Sequence, residues 1–160
     1  SQVLFKDYYH NEILIIIKEI ISILTKRLRK ANYLTGRVSL HIGYSKNITG
    51  GFSVSKKLDT ETNDENKLYK ELINIFNSYY EENTPIRKVG ISLSKLEVND
   101  HIQLNLFESL ETIEKTAKIN DTIDEIHTRF GSNSILKATS LLKNSTIKER
   151  NNKIGGHNAR

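Results

Sequence analysis

Three short segments place small hydroxyls and cations in step with a strand: Arg37, Ser39 and His41; Ser53, Ser55 and Lys57; and Lys88, Ser92 and Ser94, with Arg87 beside Lys88. An extended backbone sends successive side chains to opposite faces, so each set gathers on one face of its strand. Fixed cations and hydroxyls without a carboxylate are the groups that hydrogen-bond phosphate oxygens and neutralise their charge. A plainly solvated antiparallel face also carries polar residues, but it ordinarily mixes Glu with Lys. Bidentate base readers are scarce in these positions and no row of aromatics stands ready to stack bases. The expected ligand is therefore the backbone of a nucleic-acid duplex, bound with little sequence preference.

Other chemistry finds less support. The five histidines, His10, His41, His101, His127 and His157, lie apart without a second ligand at metal spacing, and there is no cysteine. Asp121, Asp124 and Glu125 form a carboxylate cluster on paper, yet Asp121 and Glu125 sit at helical spacing beside Lys118 and Arg129, as on a solvated helix face. The Gly50-Gly51 and Gly155-Gly156 pairs are too short for a phosphate-cradling loop. No catalytic residue and no resident cofactor is expected.

The elements that must hold those positions follow from periodicity. Ser1 to Tyr8 alternates as a strand, and Asn11 to Lys30 shifts to helical spacing through Ile13, Ile16, Ile17, Ile20, Leu24 and Leu28. Its last turns carry Lys26, Arg27, Arg29 and Lys30, which suit the negative end of the helix dipole. Gly36 is expected to close the next loop. Arg37 to Tyr44 then alternates, with Val38, Leu40 and Ile42 inward, and Phe52 to Leu58 returns after a turn through Asn47 and Gly50-Gly51. Thr62 and Glu65 fit a capping box for a helix showing Leu68, Leu72, Ile75, Phe76 and Tyr79. Arg87 to Leu96 is the last strand, with Val89, Ile91 and Leu93 inward. This β-α-β-β-α-β order predicts an α+β, two-layer sandwich: a four-stranded sheet with both helices on one face. A helical C-terminal extension follows from Glu108 to Phe130, with a break expected near Asn120, and then a polar, basic tail.

Charge is uneven along the chain. Residues 1–60 hold 10 Lys/Arg against 4 Asp/Glu, residues 61–130 hold 8 against 14, and residues 131–160 hold 6 against 1. Two basic segments bracketing an acidic one suit a polyanionic partner. The densest apolar stretch, Ile13 to Leu24, is interrupted by Lys18, Glu19 and Ser22, short of the about 18 uninterrupted apolar residues of a membrane span. No membrane partner is expected, and without a secretory leader the expected location is cytoplasmic. The chain opens in a strand without an initiator Met, as a piece of a longer polypeptide would.

Gln103-Leu104-Asn105-Leu106-Phe107 remains. From its apolar pattern alone it either completes the domain's own core or anchors in a groove on another protein. Taken together, Ser1 to Tyr8, Val38 to Ser45, Gly50 to Ser53, Pro85 to Ser94, Gln103 to Phe107 and Arg150 to His157 resemble the C-terminal part of UmuC-like Y-family translesion DNA polymerases, the impB/mucB/samB family. The resemblance spans nearly the whole chain. It implies that residues 1–97 are the little finger that grips duplex primer-template DNA, that 98–107 is a linker binding the β sliding clamp, and that 108–131 and 132–160 are a helical extension and a basic tail. In that family's pentapeptide Gln103 would bond at the groove rim, with Leu104, Leu106 and Phe107 as apolar anchors and Asn105 replacing the commoner Ser or Asp. The resemblance further implies DNA repair in the SOS response, and a palm that uses magnesium outside this chain. Two other readings stand beside it: an RNA-binding domain of ferredoxin-like topology, against which the lack of stacking aromatics counts, and a small ferredoxin-like hydrolase, for which no poised catalytic pair appears.

Overall fold

The computed structural model describes residues 2–99, 110–154 and 157–158. Gln103 to Phe107 lie outside the described residues. The chain divides into two compact units, Ser1–Asn99 and Asp100–Arg160.

The first unit runs β1 (Gln2–Tyr8), α1 (His10–Lys30), β2 (Tyr33–Tyr44), β3 (Gly51–Thr62), α2 (Glu65–Tyr79) and β4 (Ile86–Val98). The four strands form one antiparallel sheet in the order β1-β4-β2-β3. Each helix therefore joins two parallel strands that have another strand between them, giving two split β-α-β units. Both helices pack on the same side. Ile13, Ile16, Ile17 and Ile21 of α1 and Leu68, Leu72 and Phe76 of α2 are sealed against Leu4, Val38, Leu40, Ile42 and Val89 of the sheet. The α+β two-layer expectation holds, and so does the assignment of inward residues on β2 and β4.

Several local expectations give way. Gly36 does not close a loop; it is buried inside β2, and the turn after α1 uses Asn32 at φ 55°. The cap of α2 is Asp64, whose carboxylate accepts from the Lys67 N–H at 2.8 Å, while Thr62 ends β3 and its hydroxyl accepts from the Asp64 N–H. Asp64 stands at the cap position itself and its carboxylate reaches the free N–H groups directly, whereas Thr62 lies two residues earlier in β3, so the Thr62–Glu65 box is not formed. The alternation of β1 leaves its faces unassigned; Leu4 and Tyr8 enter the core, and Val3 and Phe5 stay outside.

In the second unit, α3 (Leu110–Phe130) is continuous through Asn120. Asn has only a modest helix penalty, and flanking residues of good propensity absorb it. Gly131, at φ 88°, follows the last helical residue and ends the helix. The basic tail carries a 3-10 turn at Ala138–Leu141, α4 (Ile147–Asn151), and a short hairpin of β5 (Lys153–Ile154) with β6 (His157–Asn158). Asn151 ties this tail together, donating to the Ser132 carbonyl at 3.2 Å and to Asn133 Oδ1 at 2.8 Å. No helix among the described residues is long and apolar enough to cross a membrane.

The start of α1 carries a titratable latch. Glu12 accepts from Lys6 Nζ at 2.8 Å and from the Tyr9 N–H at 3.0 Å, joining β1 to the first turn of the helix. The Lys6 bond first, and the Tyr9 N–H after the opposing cost of burial, hold the Glu12 carboxyl below its ordinary value. Because the folded state binds the proton more weakly, this stabilisation is complete above the ordinary carboxylate pKa and fades as pH falls through the depressed one. Glu12→Gln is expected to lower the urea midpoint at pH 7, with the gap to the unaltered chain closing on acidification below about pH 4. A gap that stays constant with pH would contradict the latch.

Candidate nucleic-acid interface

The strand register assembles the residues singled out from the sequence. On β2, Arg37, Ser39 and His41 alternate with the fully buried Val38, Leu40 and Ile42, so the helices that cover the second set leave the first on the open face. On one flank Arg37 lies opposite Lys57, Ser39 opposite Ser55 and His41 opposite Ser53. On the other, Arg37 lies opposite Ser94, Ser39 opposite Ser92, and Gly43 opposite Lys88. Nine side chains from three strands thus form one surface.

Its centre is ordered by hydroxyls. Ser39 Oγ donates to Ser55 Oγ at 2.9 Å, and Arg37 Nη1 donates to the same oxygen at 3.3 Å. Arg37 keeps further N–H donors facing solvent, since a guanidinium has five. The directly opposed Arg37 and Lys57 are a like-charged cross-strand pair, an arrangement that costs stability in a sheet. Among the described residues no carboxylate forms an ion pair with Arg37, Lys57 or Lys88. Lys56, one residue away, faces the helices instead and pairs with Glu71 of α2 at 2.5 Å. Alternation therefore separates a neutralised lysine from an unneutralised one.

Arg87 differs from the rest. β4 pairs Lys88 with Gly43 but Ile86 with Tyr44, which makes Arg87 the extra residue of a bulge. The bulge lets Ile86 and Val89, three apart, both face the core. Arg87 Nη1 lies 3.6 Å from Asp7 Oδ1, and Asp7 also accepts from Ser45 Oγ at 3.2 Å. Arg87 is thus partly neutralised at the border of the surface.

The structure adds residues that strand patterning of the sequence did not select. Gly43 and Gly90 lie on the open face in phase with His41 and Ser92, leaving bare backbone between the cations. The same alternation carries that signal. Lys46, in the turn between β2 and β3, lies with His41, Lys88 and Arg87 around a shallow depression of about 620 Å³. Nothing in strand periodicity could place a turn residue there. Of the other histidines, His10 packs beside Phe76 and Tyr80, and His127 meets the Ile135 carbonyl at 2.9 Å. Asp121 and Glu125 lie on the exposed side of α3, where Glu125 pairs with Arg129 at 2.6 Å.

Lys57→Glu tests the strain of this face directly. Replacing repulsion by attraction opposite Arg37 is expected to raise stability by about 0.2–1 kcal/mol at low ionic strength, nearer the lower figure because the pair is solvated. A lowered thermal midpoint would contradict the assigned register or charge balance.

Comparison with known proteins gives this geometry its context. The model of the impB/mucB/samB family C-terminal domain matches residues 1–106. A Bacillus subtilis protein named for UV-damage repair, UvrX, is 36% identical over 98% of this chain, and DNA polymerase IV 2 of the same organism is 32% identical over 95%. DNA polymerase IV of Pelotomaculum thermopropionicum is 30% identical over 91%. The chain spans 38%, 37% and 35% of these relatives' own lengths. With a family model covering well over half of the sequence, the chain belongs to the impB/mucB/samB family, whose C-terminal domain it carries in residues 1–106.

Proposed function

We propose that this chain is the DNA-gripping and clamp-tethering C-terminal part of an error-prone translesion DNA polymerase acting in the SOS response to DNA damage, in the cytoplasm. The observation that carries the grip is the open face itself. Arg37, Lys57 and Lys88 project from a rigid sheet without carboxylate partners among the described residues, and Arg37 and Lys57 repel one another until an anion comes between them. Phosphates of a primer-template duplex supply that anion. Ser39, Ser53, Ser55, Ser92 and Ser94 donate to phosphate oxygens beside them, His41 sits at the middle of the row, and Arg87 contributes from the bulge. Contacts of this type fix position on the duplex and leave sequence unread. Polymerase names among the relatives support the choice of DNA.

Recruitment falls to Gln103 to Phe107. Leu104, Leu106 and Phe107 anchor in an apolar groove of the β sliding clamp, Gln103 bonds at its rim and Asn105 faces solvent. Nucleotide transfer, with its magnesium, belongs to sequence beyond this chain, and the chain itself contributes no catalytic residue.

Duplex affinity is expected to fall steeply with salt, and Arg37→Ala, Lys57→Ala and Lys88→Ala combined should flatten the log–log salt slope by roughly 3, about 0.9 for each lost phosphate contact. Fluorescence anisotropy with a labelled duplex measures both; affinity indifferent to salt would overturn the reading. Titration with single-stranded RNA separates it from RNA recognition, which predicts tighter binding to that ligand. For the tether, Leu106→Ala with Phe107→Ala should abolish clamp binding in a pull-down while leaving the circular-dichroism melt and duplex affinity nearly unchanged. Unfolding by that double substitution would instead make the segment part of the core.

A further inference from the structure

Phosphate contacts account for the cations and hydroxyls of the open face but leave its apolar border without a role. β1 is an edge strand beside β4, and it exposes Val3 and Phe5 at 63% and 57%. Val3 lies directly opposite Lys88. It also lines the shallow depression shared by His41, Gly43, Lys46, Arg87 and Lys88. Phe5 points the same way: its neighbours Leu4, in the core, and Lys6, bonded to Glu12 of α1, both lie on the helix side, so alternation sends Phe5 to the other.

The depression therefore has two kinds of lining, cations and an aliphatic side chain, over a stretch where Gly43 presents no side chain. A Cβ at Gly43 would come within 3.0 Å of the Lys88 Cβ, so the bare backbone there keeps Lys88 in place. A nucleotide backbone unit has two kinds of surface in the same sense. Its phosphate is anionic, and its deoxyribose offers C–H surface that gains by leaving water.

We propose that this depression seats one sugar–phosphate unit of the bound DNA strand, the phosphate on Lys46 and Lys88 and the deoxyribose against Val3, with Phe5 extending the apolar contact to the neighbouring sugar along the sheet edge. The proposal rests on the reading of the open face as a DNA interface and adds a part of that interface with its own signature. Charge neutralisation gives an affinity that decays with salt, whereas apolar contact gives one that does not. Val3 and Phe5 are surface residues, so their replacement leaves the core intact.

The test compares the full chain with Val3→Ser/Phe5→Ser and with Lys46→Ala/Lys88→Ala in duplex titrations across a series of salt concentrations. The apolar double variant is expected to lose about tenfold in affinity at every salt concentration with an unchanged log–log slope. The lysine double variant should flatten the slope by roughly 2. Because the chain has no tryptophan, Phe5→Trp adds a single reporter, whose emission maximum should move to shorter wavelength on saturation with duplex as the ring leaves water. Unaltered affinity in the apolar variant, or an unmoved emission maximum at saturation, overturns the sugar contact while the lysine variant's response still upholds the wider interface. Failure of the unaltered chain to bind duplex at all would remove both.

Discussion

The first unit depends on one constraint: a single apolar face of the sheet is buried under two helices. Val38, Leu40 and Ile42 on β2, Val89 on β4 and Leu4 on β1 are sealed against the isoleucines of α1 and the Leu68, Leu72 and Phe76 side of α2. A side-chain period of two then dictates everything on the opposite face. Slipping β2 by one residue would drive Arg37 and His41 into the core, at a cost far larger than the modest repulsion between Arg37 and Lys57. Burial thus secures an arrangement of cations that the surface alone would not choose. The bulge at Arg87 serves the same end, since it restores phase along β4 so that Ile86 and Val89 both enter the core while Lys88 stays outside.

Much of this was legible in the sequence because it rests on periodicity. Clean alternation from Val38 to Ile42, and Ile13 to Leu28 at helical spacing, leave few choices of face, and the open-face serines and cations follow from them. What periodicity does not encode was missed. Thr62 and Asp64 are both competent caps, and only the path of β3 puts Asp64 at the helix start. Val3 and Leu4 are equally apolar, and what brings Leu4 and Tyr8 into the core together is a register shift between Val3 and Tyr8 that alternation does not encode. Lys46 joins the site from a turn, and the pairing of Arg87 with Asp7 joins two strands. Each of these is a tertiary fact about residues whose local pattern is neutral.

Family membership and electrostatics bear on the same surface from different directions. The family model covers the whole sheet unit, and the relatives whose names speak of DNA polymerase or UV-damage repair align over more than nine-tenths of the chain. The sheet offers what a surface for a polyanion requires: fixed geometry, cations without carboxylate partners among the described residues, and few side chains of the base-reading type. Another basic patch exists, at the end of α1, where Arg27, Arg29 and Lys30 lie in the last turn. Those cations already serve the negative end of the helix dipole, whereas the open-face cations have no such local use.

These two basic surfaces lie on opposite sides of the sheet, which makes their discrimination decisive. Amide chemical-shift mapping of the isotope-labelled chain with a short duplex reads both at once. The account predicts shifts concentrated on β2, β3 and β4 at Arg37, Ser39, His41, Ser55, Lys57, Lys88 and Ser92, with the last turns of α1 unmoved. Shifts centred on Arg27 to Lys30, with the sheet residues unmoved, would contradict it.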